Sequence, residues 1–133
     1  MNPFYSDVAA RALHRCEYCR APESIFNLPF EVEHIIPVSL DGKDDIQNLA
    51  LACRSCNLHK GASISGEEPR TNQATRLFNP RLDRWPDHFT INLNTGEITG
   101  RTAIGRITVK QLNMNSPVQL DARKYWMQLQ LFP

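Results

Sequence analysis

No stretch of this sequence stays apolar for anything near the roughly 20 residues that a membrane-spanning helix needs. Its apolar share of 41% and charged share of 22% are those of an ordinary globular domain, expected to be soluble and without a membrane partner. The N-terminal run MNPFYSDVAARALHR lacks a basic region followed by an apolar core and a small-residue cleavage site, so a cytoplasmic setting is expected. There is no internal repeat and no low-complexity segment. Cysteine is absent except at four positions, all of them in two Cys-x-x-Cys pairs, Cys16 with Cys19 and Cys53 with Cys56. In a reducing compartment matched pairs of this kind indicate metal binding before disulfides. At 133 residues the chain suits one domain spanning 1–133, with room for a modest core.

Net charge is nearly absent too, at +1, but the total conceals an uneven distribution. Residues 1–69 carry six Lys/Arg against ten Asp/Glu, a net −4. Residues 70–110 carry seven against three, a net +4. A basic region beside an acidic, metal-holding half suits a polyanion whose phosphates are gripped by one part and attacked at another. An unevenly charged solvated surface is the plainer reading.

Along the chain, 6–15 reads as a short helix with Ser6 as cap and Val8, Ala9, Ala12 and Leu13 on one face. Residues 30–36 have strand composition, ended by Pro37. Asp41-Gly42 opens a polar loop, Asn48 leads into a returning apolar strand, LALAC, and RSCNLHKG permits a helix ended near Gly61. The polar run ASISGEEPRTNQ reads as a connection. FTINL and EITG flank Asn94-Thr95-Gly96 as a β-hairpin, 102–113 suits a helix capped by Thr102, and Ser116-Pro117 opens a last helix with Gln119 completing a capping box.

The four cysteines offer the local spacing of a closed structural zinc site, which has no open position for chemistry and serves to hold the fold. His14 precedes the first pair, but four thiolates already complete a tetrahedron. Once zinc has claimed the cysteines, Glu33, His34, Asn48, Asn57, His59 and Lys60 remain as a dense polar cluster. Phosphodiester hydrolysis needs an activated water, a cation against the developing charge and a group orienting the base. His34 is of the residue type that serves as such a base. Glu33 and the amide oxygen of Asn57 are of the type that ligates a hard divalent ion.

The stretches EVEHIIPVSLDG, QNLALACRSCN and HKG, together with CEYC, resemble the HNH endonuclease family, also called His-metal finger or ββα-metal nucleases, in its four-cysteine zinc form. The resemblance covers about residues 16–61. It implies an α+β fold, with a zinc-stabilised ββα-metal core at about 16–65 and a C-terminal hairpin and helices at about 70–133 packed on it. It implies His34 as general base, Glu33 and Asn57 as ligands of Mg2+ or another divalent cation such as Mn2+, and Asn48 as the residue that orients His34. His59 is then a phosphate contact or the alternative ligand. Many relatives carry Asp or His where this chain has Glu33, and His where it has Asn57. Lys60, Arg54, Arg81 and Arg84 are the candidate nucleic-acid contacts. Arg81, Arg84 and Trp85 either grip a substrate backbone or brace the core, where Arg stacks on Trp, and His88 reads as structural. The later segment resembles an extension of small bacterial HNH proteins and names no substrate.

The expected activity is hydrolysis of DNA, with RNA as the other polyanion, by a monomer that nicks one strand or a homodimer that cuts two. A catalytically silent zinc-stabilised DNA-binding module is the rival, and a protein-interaction domain a weaker one.

Overall fold

A computed structural model describes all residues, Met1–Pro133. Its organising pair is β1 (Glu31–His34) and β2 (Leu49–Ala52), antiparallel with Glu31 opposite Ala52 and His34 opposite Leu49. All four β2 residues, Leu-Ala-Leu-Ala, are buried, which explains why this strand is continuously apolar where a half-exposed strand would alternate. Along β1, Glu33 and then Ile35 just beyond the strand are the buried positions, while Val32 and His34 are half-exposed. The strand therefore hides a carboxylate and presents an imidazole, and it pins both to one rigid element.

Helix α1 (Tyr5–Arg11) packs on both strands. It begins before the expected Ser6, with Phe4 at the cap and no side-chain cap bond; Asn2 Oδ1 instead accepts from the Phe4 N–H at 2.8 Å. Arg11 donates to the Ile46 and Leu49 carbonyls at 2.8 and 2.6 Å, which ties the helix to the start of β2. Helix α2 (Arg54–Lys60) is capped by Cys53, whose Sγ accepts from the Cys56 N–H at 3.5 Å. It stops at Gly61, where φ is +53°, a conformation that costs a residue without Cβ little.

The run 62–73 is more than a connection. Strands β3 (Ser65–Glu67) and β4 (Ala74–Arg76) form a hairpin whose turn is organised by fully buried Glu68. Its carboxylate accepts from the Arg70 and Thr71 N–H groups, both at 2.7 Å, and from Arg106. Burial raises the Glu68 pKa, but those donors outweigh it and hold the group at about 2. A short helix α3 (Trp85–His88) leads into the expected hairpin, β5 (Phe89–Ile91) and β6 (Ile98–Gly100).

Helix α4 (Ala103–Gln111), capped by Thr102, lies against β3, β4 and β6 and so joins the two hairpins. The approach is close: a Cβ on Gly105 would sit 2.0 Å from the His88 carbonyl oxygen. Helix α5 (Pro117–Gln128) is capped by Ser116 as expected, but only half of the capping box forms, because the Ser116 N–H donates to the Asn113 carbonyl at 3.3 Å and not to the Gln119 side chain. A continuous apolar cluster runs from Val8 and the cysteines through Phe78 and Phe89 to Trp126 and Phe132, so the C-terminal elements share the core of the ββα unit.

Candidate metal centre and active site

The four cysteines are free, buried and brought together from two chain segments, with their sulfurs all within 4.8 Å of one another. Cys19 and Cys53 sulfurs are 3.7 Å apart, far from the disulfide length of about 2.05 Å and close to the edge of about 3.8 Å that a tetrahedron with Zn–S bonds of 2.3 Å requires. Hydrogen bonds within the cluster, that from Cys16 first, drive the thiols apart in acidity, with Cys19 well below its ordinary value and Cys53 and Cys56 above theirs. Four sulfurs this close cannot all become thiolates without a cation between them, and zinc is the ion whose ligand set they match.

His34, Glu33 and Asn57 line one open cleft of about 380 Å³, together with Val32, Pro37 to Ser39, Gly61 and Ala62. His34 faces it from the half-exposed side of β1, and its Nε2 lies 3.0 Å from Asp44 Oδ1. Asp44 was not singled out in the sequence. It lies in the loop between β1 and β2, and nothing in its spacing announces the contact. Asn48, expected to orient His34, makes no hydrogen bond to the imidazole. Its Oδ1 accepts from the Ile36 N–H at 3.0 Å, while its Nδ2 donates to the carbonyls of Ile36 and Lys43 at 2.9 and 2.8 Å. The side chain is consumed in clipping the loop that carries Asp44.

Glu33 is 6% exposed. The Tyr18 hydroxyl donates to its Oε1, and Lys60 Nζ is 3.1 Å from its Oε2. Burial raises the Glu33 pKa, opposed by Lys60 and Tyr18, and a net rise remains. Lys60 is 2% exposed and also donates to the Ile35 and His34 carbonyls at 3.0 and 3.3 Å, so it is not a surface contact for phosphate. Asn57 gives its Nδ2 to Glu31, which leaves its Oδ1 without a protein partner, on the rim of the cavity. His59 turns away. Its Nδ1 meets the Ser55 carbonyl at 2.8 Å on the exposed side of α2, outside the cavity. Of the two residues, Asn57 lines the cavity with Glu33 and His59 does not.

Of the candidate nucleic-acid contacts, Arg54 is open to solvent beside Glu31, and Arg84 is exposed with no side-chain partner. Arg81 is not free: it pairs with Glu17 inside the fold, with a side chain only 13% exposed. The cation stacked on Trp85 is Arg20, at 5.6 Å, and the Trp85 indole N–H donates to the Tyr18 carbonyl at 2.7 Å. Arg70 and Lys110 are exposed and unpaired as well, and line a cleft of about 480 Å³ with Arg106 and Thr99.

A two-stranded antiparallel pair, a helix with the second cysteine pair at its head, and a tetrathiolate cluster define a ββα-metal core within an α+β fold. Residues 16–63 match the family model described as HNH endonuclease, and the segment is the four-cysteine form of that core. The match covers the metal centre and the whole of the His34 cavity, and less than half of the chain. No curated protein and no solved structure matches the chain. No helix is long and apolar enough to cross a membrane.

Proposed function

We propose that the protein is a divalent-cation-dependent DNA endonuclease that nicks one strand at each site, with residues 1–133 working as one domain. The observation that carries the reading is the shared cavity of His34, Glu33 and Asn57 inside the HNH segment: an imidazole with a carboxylate on one nitrogen, beside two hard oxygen donors.

With Nε2–H donated to Asp44, the lone pair of His34 sits on Nδ1, the tautomer a general base needs. His34 takes the proton of the attacking water. Asp44 steadies the imidazolium that results, and Asn48 holds the loop bearing Asp44. Glu33 and the Asn57 Oδ1 are the oxygen ligands for Mg2+ or Mn2+, which when bound supplies positive charge against the phosphate and the leaving 3′ oxygen. Arg54, on the helix that carries Asn57, supplies phosphate contacts together with Arg70, Lys110 and Arg84. Zinc in the thiolate cluster has no part in the reaction.

Purified protein with Mg2+ or Mn2+ is expected to convert supercoiled plasmid to open circles. His34→Ala should lower the rate by about 10²- to 10⁴-fold with zinc content unchanged. Retained nicking in His34→Ala would sink the mechanism. A wild type that binds DNA yet takes up zinc alone would favour a silent binding module.

A further inference from the structure

The two halves of the thiolate cluster each send one arm to the same carboxylate. Tyr18 lies inside the first pair, Cys16-Glu17-Tyr18-Cys19, and its hydroxyl reaches Glu33 Oε1. Lys60 lies four residues after Cys56, one turn along the same face of α2, and meets Glu33 Oε2 at 3.1 Å. Tyr18 is fully buried, its ring edge-on to Phe78 at 6.5 Å, and its carbonyl is held by the Trp85 indole. A ring fixed at this many points has one orientation, and so does the carboxylate it holds.

We infer that Tyr18 is the positioning residue for Glu33, transmitting the rigidity of the thiolate cluster to the cation site and setting that site's affinity for a hard divalent ion. The inference rests on the proposed function only in taking Glu33 as a cation ligand. The hydroxyl occupies one lone pair of Oε1 and Lys60 holds Oε2, which leaves lone pairs of a carboxylate that lines the cavity with Asn57 free for a cation. Without the hydroxyl, the Glu33 side chain gains rotamers that point those lone pairs elsewhere, and each cation bound must select among them. The conserved volume of Tyr18→Phe leaves the packing on Phe78 in place.

The test uses full-length, zinc-loaded protein and Mn2+ followed by electron paramagnetic resonance, in wild type, Tyr18→Phe, Glu33→Ala and the double variant, with zinc content and melting temperature recorded for each. Wild type should bind one Mn2+, and Tyr18→Phe should bind it about tenfold more weakly with its zinc retained. In the Glu33→Ala background the Tyr18→Phe change should alter residual binding less than twofold. Because Glu33→Ala leaves Lys60 buried without a counter-charge, a second readout stands beside it. Tyr18→Phe should raise the Mn2+ concentration for half-maximal nicking while the rate at saturating Mn2+ holds within about twofold. Unchanged Mn2+ affinity in Tyr18→Phe, equal weakening in both backgrounds, or loss of zinc would each overturn the inference. Mn2+ binding without DNA cleavage would defeat the nuclease reading and leave the inference standing; a wild type that binds no Mn2+ would defeat both.

Discussion

Lys60→Met isolates the most consequential buried contact in the molecule. Methionine keeps the unbranched stem and helix propensity of lysine but removes the ammonium that lies 3.1 Å from Glu33 Oε2, where the two side chains are 2% and 6% exposed. Deleting one partner of a buried pair typically costs about 3–5 kcal/mol, because the other charge stays in a low-dielectric setting without compensation. Here Glu33 keeps the Tyr18 donor and burial already pushes its pKa up, so it can escape by taking a proton, which places the expected loss near 3 kcal/mol at pH 8. Against a domain stability of about 5–15 kcal/mol this is a large fraction, equivalent to a drop of roughly 12 °C in Tm at about 4 °C per kcal/mol. The sign with pH follows from the same group. An acid whose folded pKa is raised is most favourable when protonated, so the gap between wild type and Lys60→Met should widen as pH rises from about 5 to 8. Urea unfolding of zinc-loaded proteins across that range measures it. A gap under about 1 kcal/mol that does not vary with pH would mean that Lys60 faces solvent, and the buried triad with Tyr18 and Glu33 would be wrong.

Removing zinc with a chelator should unfold the ββα core, since zinc binding free energies of about 10–16 kcal/mol exceed the stability of the domain; near-UV dichroism from Trp85, bonded to the Tyr18 carbonyl between two cysteines, reports it. A chelated protein that keeps its dichroism would show that the core does not depend on the metal. The Glu68 carboxyl, held at about 2 against an ordinary 4.5, contributes stability that is present above about pH 4.5 and lost as pH falls toward 2. The difference in Tm between wild type and Glu68→Gln should therefore be largest above pH 4.5 and shrink below it, as scanning calorimetry would register. Arg54→Ala should weaken DNA binding and flatten its salt dependence by about one phosphate contact with Tm nearly unchanged, whereas Arg81→Ala should lower Tm and leave the salt slope alone. Fluorescence anisotropy over a salt series, paired with melting curves, tests both assignments.

What the sequence determined by itself was everything written in local spacing. Two Cys-x-x-Cys pairs announce their ligand chemistry in four residues each, Glu33 and His34 are chain neighbours on a strand of recognisable composition, and Thr102 and Ser116 sit where helix caps belong. The hairpin at 65–76 escaped notice because its strands, Ser-Gly-Glu and Ala-Thr-Arg, carry no apolar alternation; they are held by Glu68 from within the turn and by Arg106 from 38 residues away. Tertiary structure alone decided which polar side chains are free. Lys60, Arg81 and Asn48 look like functional groups in one dimension, yet buried charge and orphaned carbonyls demand partners, and the fold assigns these three to Glu33, Glu17 and the loop backbone. The same demand brings Tyr18 to Glu33 across 15 residues of chain, while the fold of the β1–β2 loop sets exposed Asp44 against His34 across 10. Pairing a long polar side chain depends on where the backbone passes in space, and spacing along the chain does not encode that.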